Sequence, residues 1–190
     1  MANTLKTIQI FSKVGKIISK VIFILCVVFG AICLVAVFSA LTGIGAGEIF
    51  KIGGMSVVGL IGNETGRNIE EISADMISGL FALASNAVLA KFYEKYFVNE
   101  LASGTPFTFE GAKEMLRLGI LTIAVPIASI VSSEIILAVL KNFWGVAENS
   151  ELRADVSVSL GIALIALSFV FKYGAELIEN NNKPEITEEK

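Results

Sequence analysis

The chain has 190 residues, of which 54% are apolar and 17% charged, where about 25% charged is usual for soluble domains. Mean hydropathy is +0.74, the formal net charge is −3, and histidine is absent. A water-soluble core of this size cannot hide that much apolar surface, so the excess is expected to face lipid. Lacking histidine, the chain has no His-based zinc site, Ser-His-Asp triad or imidazole switch. Its acidic balance offers no basic face for direct nucleic-acid binding.

Taken in order, residues 1–20 carry four lysines and no acid. Leu5, Ile8, Phe11, Val14 or Gly15, and Ile18 fall near one face. That pattern suits an amphipathic helix in the cytoplasmic interface, and it suits equally a positively charged flank that orients the next segment. Val21 to Leu41 is 21 residues without a charge, about 31 Å as a helix, which matches a hydrocarbon core. It is too long for a signal h-region, and Phe38 spoils the −3 position for cleavage after Ala40. A retained first transmembrane helix over 21–41 is expected.

The outer loop, 42–75, opens with Gly43-Ile-Gly45-Ala-Gly47 and continues apolar from Ile49 to Ile61. Those glycines lack the strand before and the Gly-Lys-Ser/Thr after that a phosphate loop needs. Irregular structure is favoured there over a short hairpin, with a helical lead-in from Asn68 to Asp75. Asn63-Glu64-Thr65 matches a glycosylation sequon, which matters only in a eukaryotic source.

A second transmembrane helix is expected over 76–93, ending in Phe92, Tyr93, Tyr96 and Phe97 as an interfacial aromatic belt. Residues 94–117 form a cytoplasmic helix-turn-helix elbow, turned by Ser103-Gly104-Thr105-Pro106 and restarted with Thr108 as N-cap. The third helix spans 118–140, a second outer loop 141–155, the fourth helix 156–172, and a tail 173–190. Eleven Lys and Arg fall on the side of the termini and four on the other, so both termini are expected in the cytoplasm. The fold class is therefore all-α integral membrane protein with four transmembrane helices, plus the N-terminal amphipathic helix and the elbow.

Few residues in the spans could carry chemistry. Glu134 lies seven residues before Lys141 and six before the end of the span at Leu140, about 9 Å below the outer end, a depth at which an acid needs a partner or water. Pro126, about two turns earlier, can kink the helix. Asn86 is a strongly polar residue near the middle of the second helix and is expected to hydrogen-bond across the bundle. Cys26-x-x-x-Gly30, Ala36-x-x-x-Ala40 and Ser157-x-x-x-Gly161 are small-residue spacings that allow close helix approach. Cys26 and Cys33, seven apart on one face, cannot bridge each other. No catalytic residue, cofactor site or metal site is expected.

Glu100-Leu-Ala-Ser-Gly-Thr-Pro-Phe-Thr108, followed by Leu116-Arg-Leu-Gly119, resembles the Gly-x-Pro-Phe motif of the YoaS-like bacterial membrane proteins (domain of unknown function 2975). Phe171-Lys-Tyr-Gly-Ala-Glu-Leu177 is similar to that family's Phe-x-x-Gly-x-x-Leu element. The likeness runs through all four helices in order, but Glu179-Asn-Asn-Asn-Lys-Pro184 stands where the family has an acidic stretch. It implies a bacterial four-helix membrane protein, with genes often beside small Cro/CI-type DNA-binding regulators, and it assigns no catalytic residue. The expected function is non-catalytic: a multi-pass inner-membrane protein acting through protein or lipid contacts, in a regulatory, sensor or immunity-type role. Its partners would be the bilayer and a membrane or cytoplasmic protein, or further copies of itself, with Gly104, Thr105, Pro106 and Phe107 as the contact turn. The alternative is a small transporter or channel subunit that uses Glu134. An intramembrane enzyme fits least, because no Gly-x-Ser-x-Gly and no intramembrane acid pair is present.

Overall fold

The computed structural model describes residues 2–42, 51–52, 55–56, 69–144 and 154–182. Among these are four long helices: α1 (Ala2–Thr42), α2 (Ile69–Ser103), α3 (Phe109–Trp144) and α4 (Val158–Asn182). All four are long and apolar enough to cross a membrane. Each outruns the span read from hydropathy. α1 has 41 residues and α2 35, about 62 and 52 Å at 1.5 Å per residue against a core of about 30 Å. Hydropathy marks where a helix can sit in lipid, whereas backbone hydrogen bonding carries it on until a breaker intervenes. Residues 94–103 and 109–117 of the expected elbow are thus the ends of α2 and α3, and the turn itself is 104–108. Residues 2–20 run without interruption into the first span within α1.

In the expected outer loop, β1 (Lys51–Ile52) and β2 (Met55–Ser56) pair antiparallel, Lys51 with Ser56 and Ile52 with Met55. Irregular structure was the expectation there, and a short ladder is found. Gly53 and Gly54, between the two strands in sequence, lie outside the described residues. The glycine run 43–47, the sequon and the tail beyond Asn182 lie outside the described residues.

The chain groups into two compact units. One comprises Met1–Val21, Leu89–Ile123 and Ser157–Lys190, and the other Ile22–Val88 and Ala124–Val156. In the first, Tyr96, Met115 and Leu118 form a buried cluster, flanked by Phe92, Tyr93, Phe97, Leu164 and Phe171. α3 and α4 cross closely there. A methyl group on Gly119 would lie 2.8 Å from the Gly161 carbonyl oxygen and 2.6 Å from Ile165 Cγ1. Backbone meets backbone at this crossing, the use expected of Gly161. In the second unit, Ala74, Ile77 and Leu137 are buried together, with Val37, Phe81 and Leu140 packed on them.

In both units the faces are inverted relative to a soluble protein. Ser12, Ser19, Ser73, Ser78, Ser85, Thr122, Ser133 and Ser168 are buried, while Phe11, Ile17, Phe29, Ile135, Phe143 and Phe169 are exposed. On α1, Ser12, Ser19 and Cys26 follow one another at seven-residue intervals on the buried face, leaving Phe11, Val14 and Ile18 outside. Four of these hydroxyls bond back to their own helix. Ser12 donates to Ile8 O (3.0 Å), Thr122 to Leu118 O (2.8 Å), Ser133 to Ile130 O (2.8 Å) and Ser168 to Ile165 O (2.6 Å). Polar groups satisfied in this way tolerate surroundings without water.

Candidate functional site: the elbow and its joint with α4

α2 stops because Gly104 adopts φ +73°, a conformation that costs a side chain of L configuration and costs glycine nothing. Its N–H still bonds to Glu100 O at 3.0 Å. The Ser103 hydroxyl is shared between Glu100 O (3.1 Å) and Thr105 O (2.9 Å). Thr105 Oγ1 then accepts from Phe107 N–H at 3.2 Å, and Thr108 N–H donates to Pro106 O at 2.9 Å. Thr108 Oγ1 accepts from Gly111 N–H at 2.9 Å, the N-cap bond that the sequence predicts. Glu110 sits in the first turn of α3, where a carboxylate favours the helix dipole. Five residues therefore reverse the chain with nearly every polar group bonded, and Pro106 is buried.

The ring of Phe107 turns towards α4. It lies edge-on to Phe171, with centroids 5.6 Å apart and planes at 82°. A methyl group on Gly174 would stand 2.5 Å from Phe107 Cδ1. The bare backbone of Gly174 is thus the seat of the Phe107 ring, and Phe171 is its wall. The two short motifs that carry the family resemblance are the two halves of this contact. Sequence reasoning singled out both and paired neither. A glycine one turn after an aromatic residue on a helix is the signal that a ring might be received there.

Further side chains tie the helices around the elbow. Tyr93 and Thr122 hydroxyls are 2.9 Å apart. Asn99 Nδ2 donates to Glu114 Oε1 at 2.6 Å. Arg117 lies over the Phe92 ring at 5.1 Å, a cation–π contact worth about 0.5–1 kcal/mol when exposed. The Phe97 ring packs on Gly15 of α1. Glu100 is half-buried in the part of α2 beyond the expected span. Burial pushes its carboxyl above the usual carboxylate range, opposed by the nearby polar side chains of Ser12 and Tyr96. A pocket of about 270 Å³ opens beside the turn, its lining including Tyr96, Asn99, Glu100, Thr105, Glu110 and Glu114. Such a wall of carboxylates and hydroxyls has the chemistry to accept hydrogen bonds from a cationic or amide-bearing group.

The other singled-out residues lie elsewhere. Glu134 is half-buried on α3 and engaged with a neighbour. Pro126 is buried inside α3, where its missing N–H leaves the Thr122 carbonyl without the usual helical donor. Asn86 is exposed on α2, on the outward side rather than the expected inward one. The buried face of α2 is set by Ala74, Ile77, Ser78 and Ser85, and Asn86 is about 100° round the helix from Ser85. Cys26 and Cys33 are both free. Among the described residues, no three Cys, Asp or Glu groups are placed to hold a metal ion. No family model, curated protein or solved structure matches the chain.

Proposed function

We propose that this chain is a non-catalytic, multi-pass protein of the bacterial inner membrane, with both termini cytoplasmic, and that it works by contact through its elbow. The observation that carries this reading is the joint of Phe107 on Gly174 and Phe171. It spends a large aromatic residue on holding a five-residue turn rigid against a second helix, beside a pocket rich in hydrogen-bond acceptors. A turn that merely connected two membrane helices would need no such fixing. Membership of the YoaS-like family is part of the proposal, supported by the meeting of its two motifs in that joint. The positive-inside count supports the orientation.

A photocrosslinking side chain at Phe109, exposed beside the turn, tests the reading in native membranes. One discrete protein adduct is expected, lost with Phe107→Ala and absent when the crosslinker is at Phe143. Adducts to lipid alone would refute it. Impermeant thiol labelling of single cysteines at 6 and 179 from outside the cell is expected to fail, and labelling there would overturn the orientation.

A second reading, a small transporter or channel subunit, is favoured by one observation. Ser85 and Ser129 hydroxyls are buried with no hydrogen-bond partner, in the same unit as Glu134. Ser85 lies eight residues after Ile77 and Ser129 eight before Leu137, so antiparallel helices in contact at Ile77 and Leu137 bring both serines to one level. Flux lost with Glu134→Gln, in protein that still reaches the membrane, would replace the contact reading with this one.

A further inference from the structure

α1 carries a second face that its packing on α2 does not use. Ser12 and Ser19 are buried and Gly15 lies under the Phe97 ring, so that side of the helix is turned to α2. On another side Ile10, Phe11, Val14, Ile17, Ile18 and Val21 are exposed, Phe11 to 72% and Ile17 to 62%. With Phe11 taken as heptad position a, these six fall at g, a, d, g, a and d. Ile24, Leu25 and Val28 repeat the same three positions further along the helix and are exposed again. Lys6, Lys13, Lys16 and Lys20 all stand at c or f, off the apolar seam.

Two features set this seam apart from a surface made only for lipid. Ile10 lies well before Val21, about 16 Å along the helix, whereas the headgroup layer adds only about 5–7 Å beyond the hydrocarbon. α1 runs unbroken through this stretch, so Ile10, Phe11 and Val14 stand beyond the reach of acyl chains. Lipid, moreover, asks only for apolar character, while a strict seven-residue repeat is what a helix–helix seam requires. In one membrane every copy has the same orientation. The α1 helices of two copies are then parallel and level, and each seam position meets its own counterpart.

We propose that the g, a and d face of α1 is the docking surface for α1 of a second copy, in a parallel pair that begins in the cytoplasm and continues into the bilayer. With the lysines off the seam, pairing sets no like charges face to face. The pair rests on the membrane-spanning orientation and not on a partner at the elbow, so its failure leaves the Phe109 crosslink untouched.

Oxidative crosslinking of the full-length protein in isolated native membranes tests the seam, with single cysteines placed in a Cys26→Ala, Cys33→Ala background. Phe11→Cys, Val14→Cys and Ile18→Cys should each give a disulfide-linked dimer, because like a and d residues of a parallel pair come within the about 7 Å between Cα atoms that a disulfide can bridge. Lys13→Cys and Lys16→Cys should give at least about fivefold less, since c and f positions point away from the seam. Equal yields at all five positions, or no dimer at any, would overturn the pairing. A photocrosslinking side chain at Phe11 identifies the occupant. An adduct between two copies of the chain supports the pair, and adducts to lipid alone or to a different protein refute it. The wild-type protein, extracted in native-lipid nanodiscs, should have the protein mass of two chains, falling to one with Phe11→Lys and Ile18→Lys together. A wild-type particle holding a single chain refutes the pair whatever the variants do.

Discussion

Around the elbow, rings and hydrogen bonds tie each helix to the next: Phe107 on Gly174, Tyr93 to Thr122, Asn99 to Glu114. Around Leu137, the buried Ala74 and Ile77 are packed with Val37, Phe81 and Leu140, a buried Asp75 stands next to Ala74 in sequence, and the Ser85 and Ser129 hydroxyls are buried without a hydrogen-bond partner. Both units are built from helices of similar apolar content, yet they are specified differently. Directional contacts fix which residue meets which, whereas small and aliphatic surfaces allow neighbouring arrangements of similar energy. A region that must present one shape to a partner gains from the first kind of packing. A region that need only stay in lipid manages with the second.

Substitutions separate the two regimes. The largest effect is expected at Gly119→Val, where any side chain meets the backbone of α4. The loss should reach the upper part of the about 1–3 kcal/mol usual for overpacking, read as a lowered unfolding midpoint in mixed micelles. Phe107→Ala empties the seat on Gly174 and should cost about 2 kcal/mol, below the range for fully buried rings because this one is half-buried. Proteolysis at the turn, slow in the parent, is the sensitive readout, and an unchanged cleavage rate would show the joint to be idle. Tyr93→Phe removes one interhelical bond, for a loss of about 0.6 kcal/mol. Ser85→Ala, which removes an unpartnered hydroxyl, should be neutral within about 0.5 kcal/mol or slightly stabilising. A clear loss of stability in Ser85→Ala would mean that its hydroxyl holds something in the membrane, and the contrast between the units would then narrow.

Much of the local structure was legible in the sequence. Uncharged runs marked the spans, Gly104 and Pro106 marked the turn, and Thr108 was readable as an N-cap because capping is decided within four residues. Pairings across the chain were not legible. Phe107 and Gly174 are joined by the course of two whole helices, and no local pattern records which glycine receives which ring. Asn86 was misjudged for a related reason. Polarity alone suggests an inward position, whereas the face of α2 is chosen by the run Ala74, Ile77, Ser78 and Ser85 acting together. Helix ends were also hidden, since neither Lys20 nor Lys91 interrupts backbone hydrogen bonding.

The hydroxyls of Ser12, Thr122, Ser133 and Ser168, each bonded to a carbonyl of its own helix, bear on how such a chain is made. A segment that carries its polar groups already satisfied has no need of a neighbour at the moment it leaves the translocation channel. These four hydroxyls therefore put no obstacle in the way of a helix entering lipid before its neighbours. The joint at Phe107 cannot close until α4 has emerged, so the elbow takes its final shape last, after the membrane part of the chain is already in place.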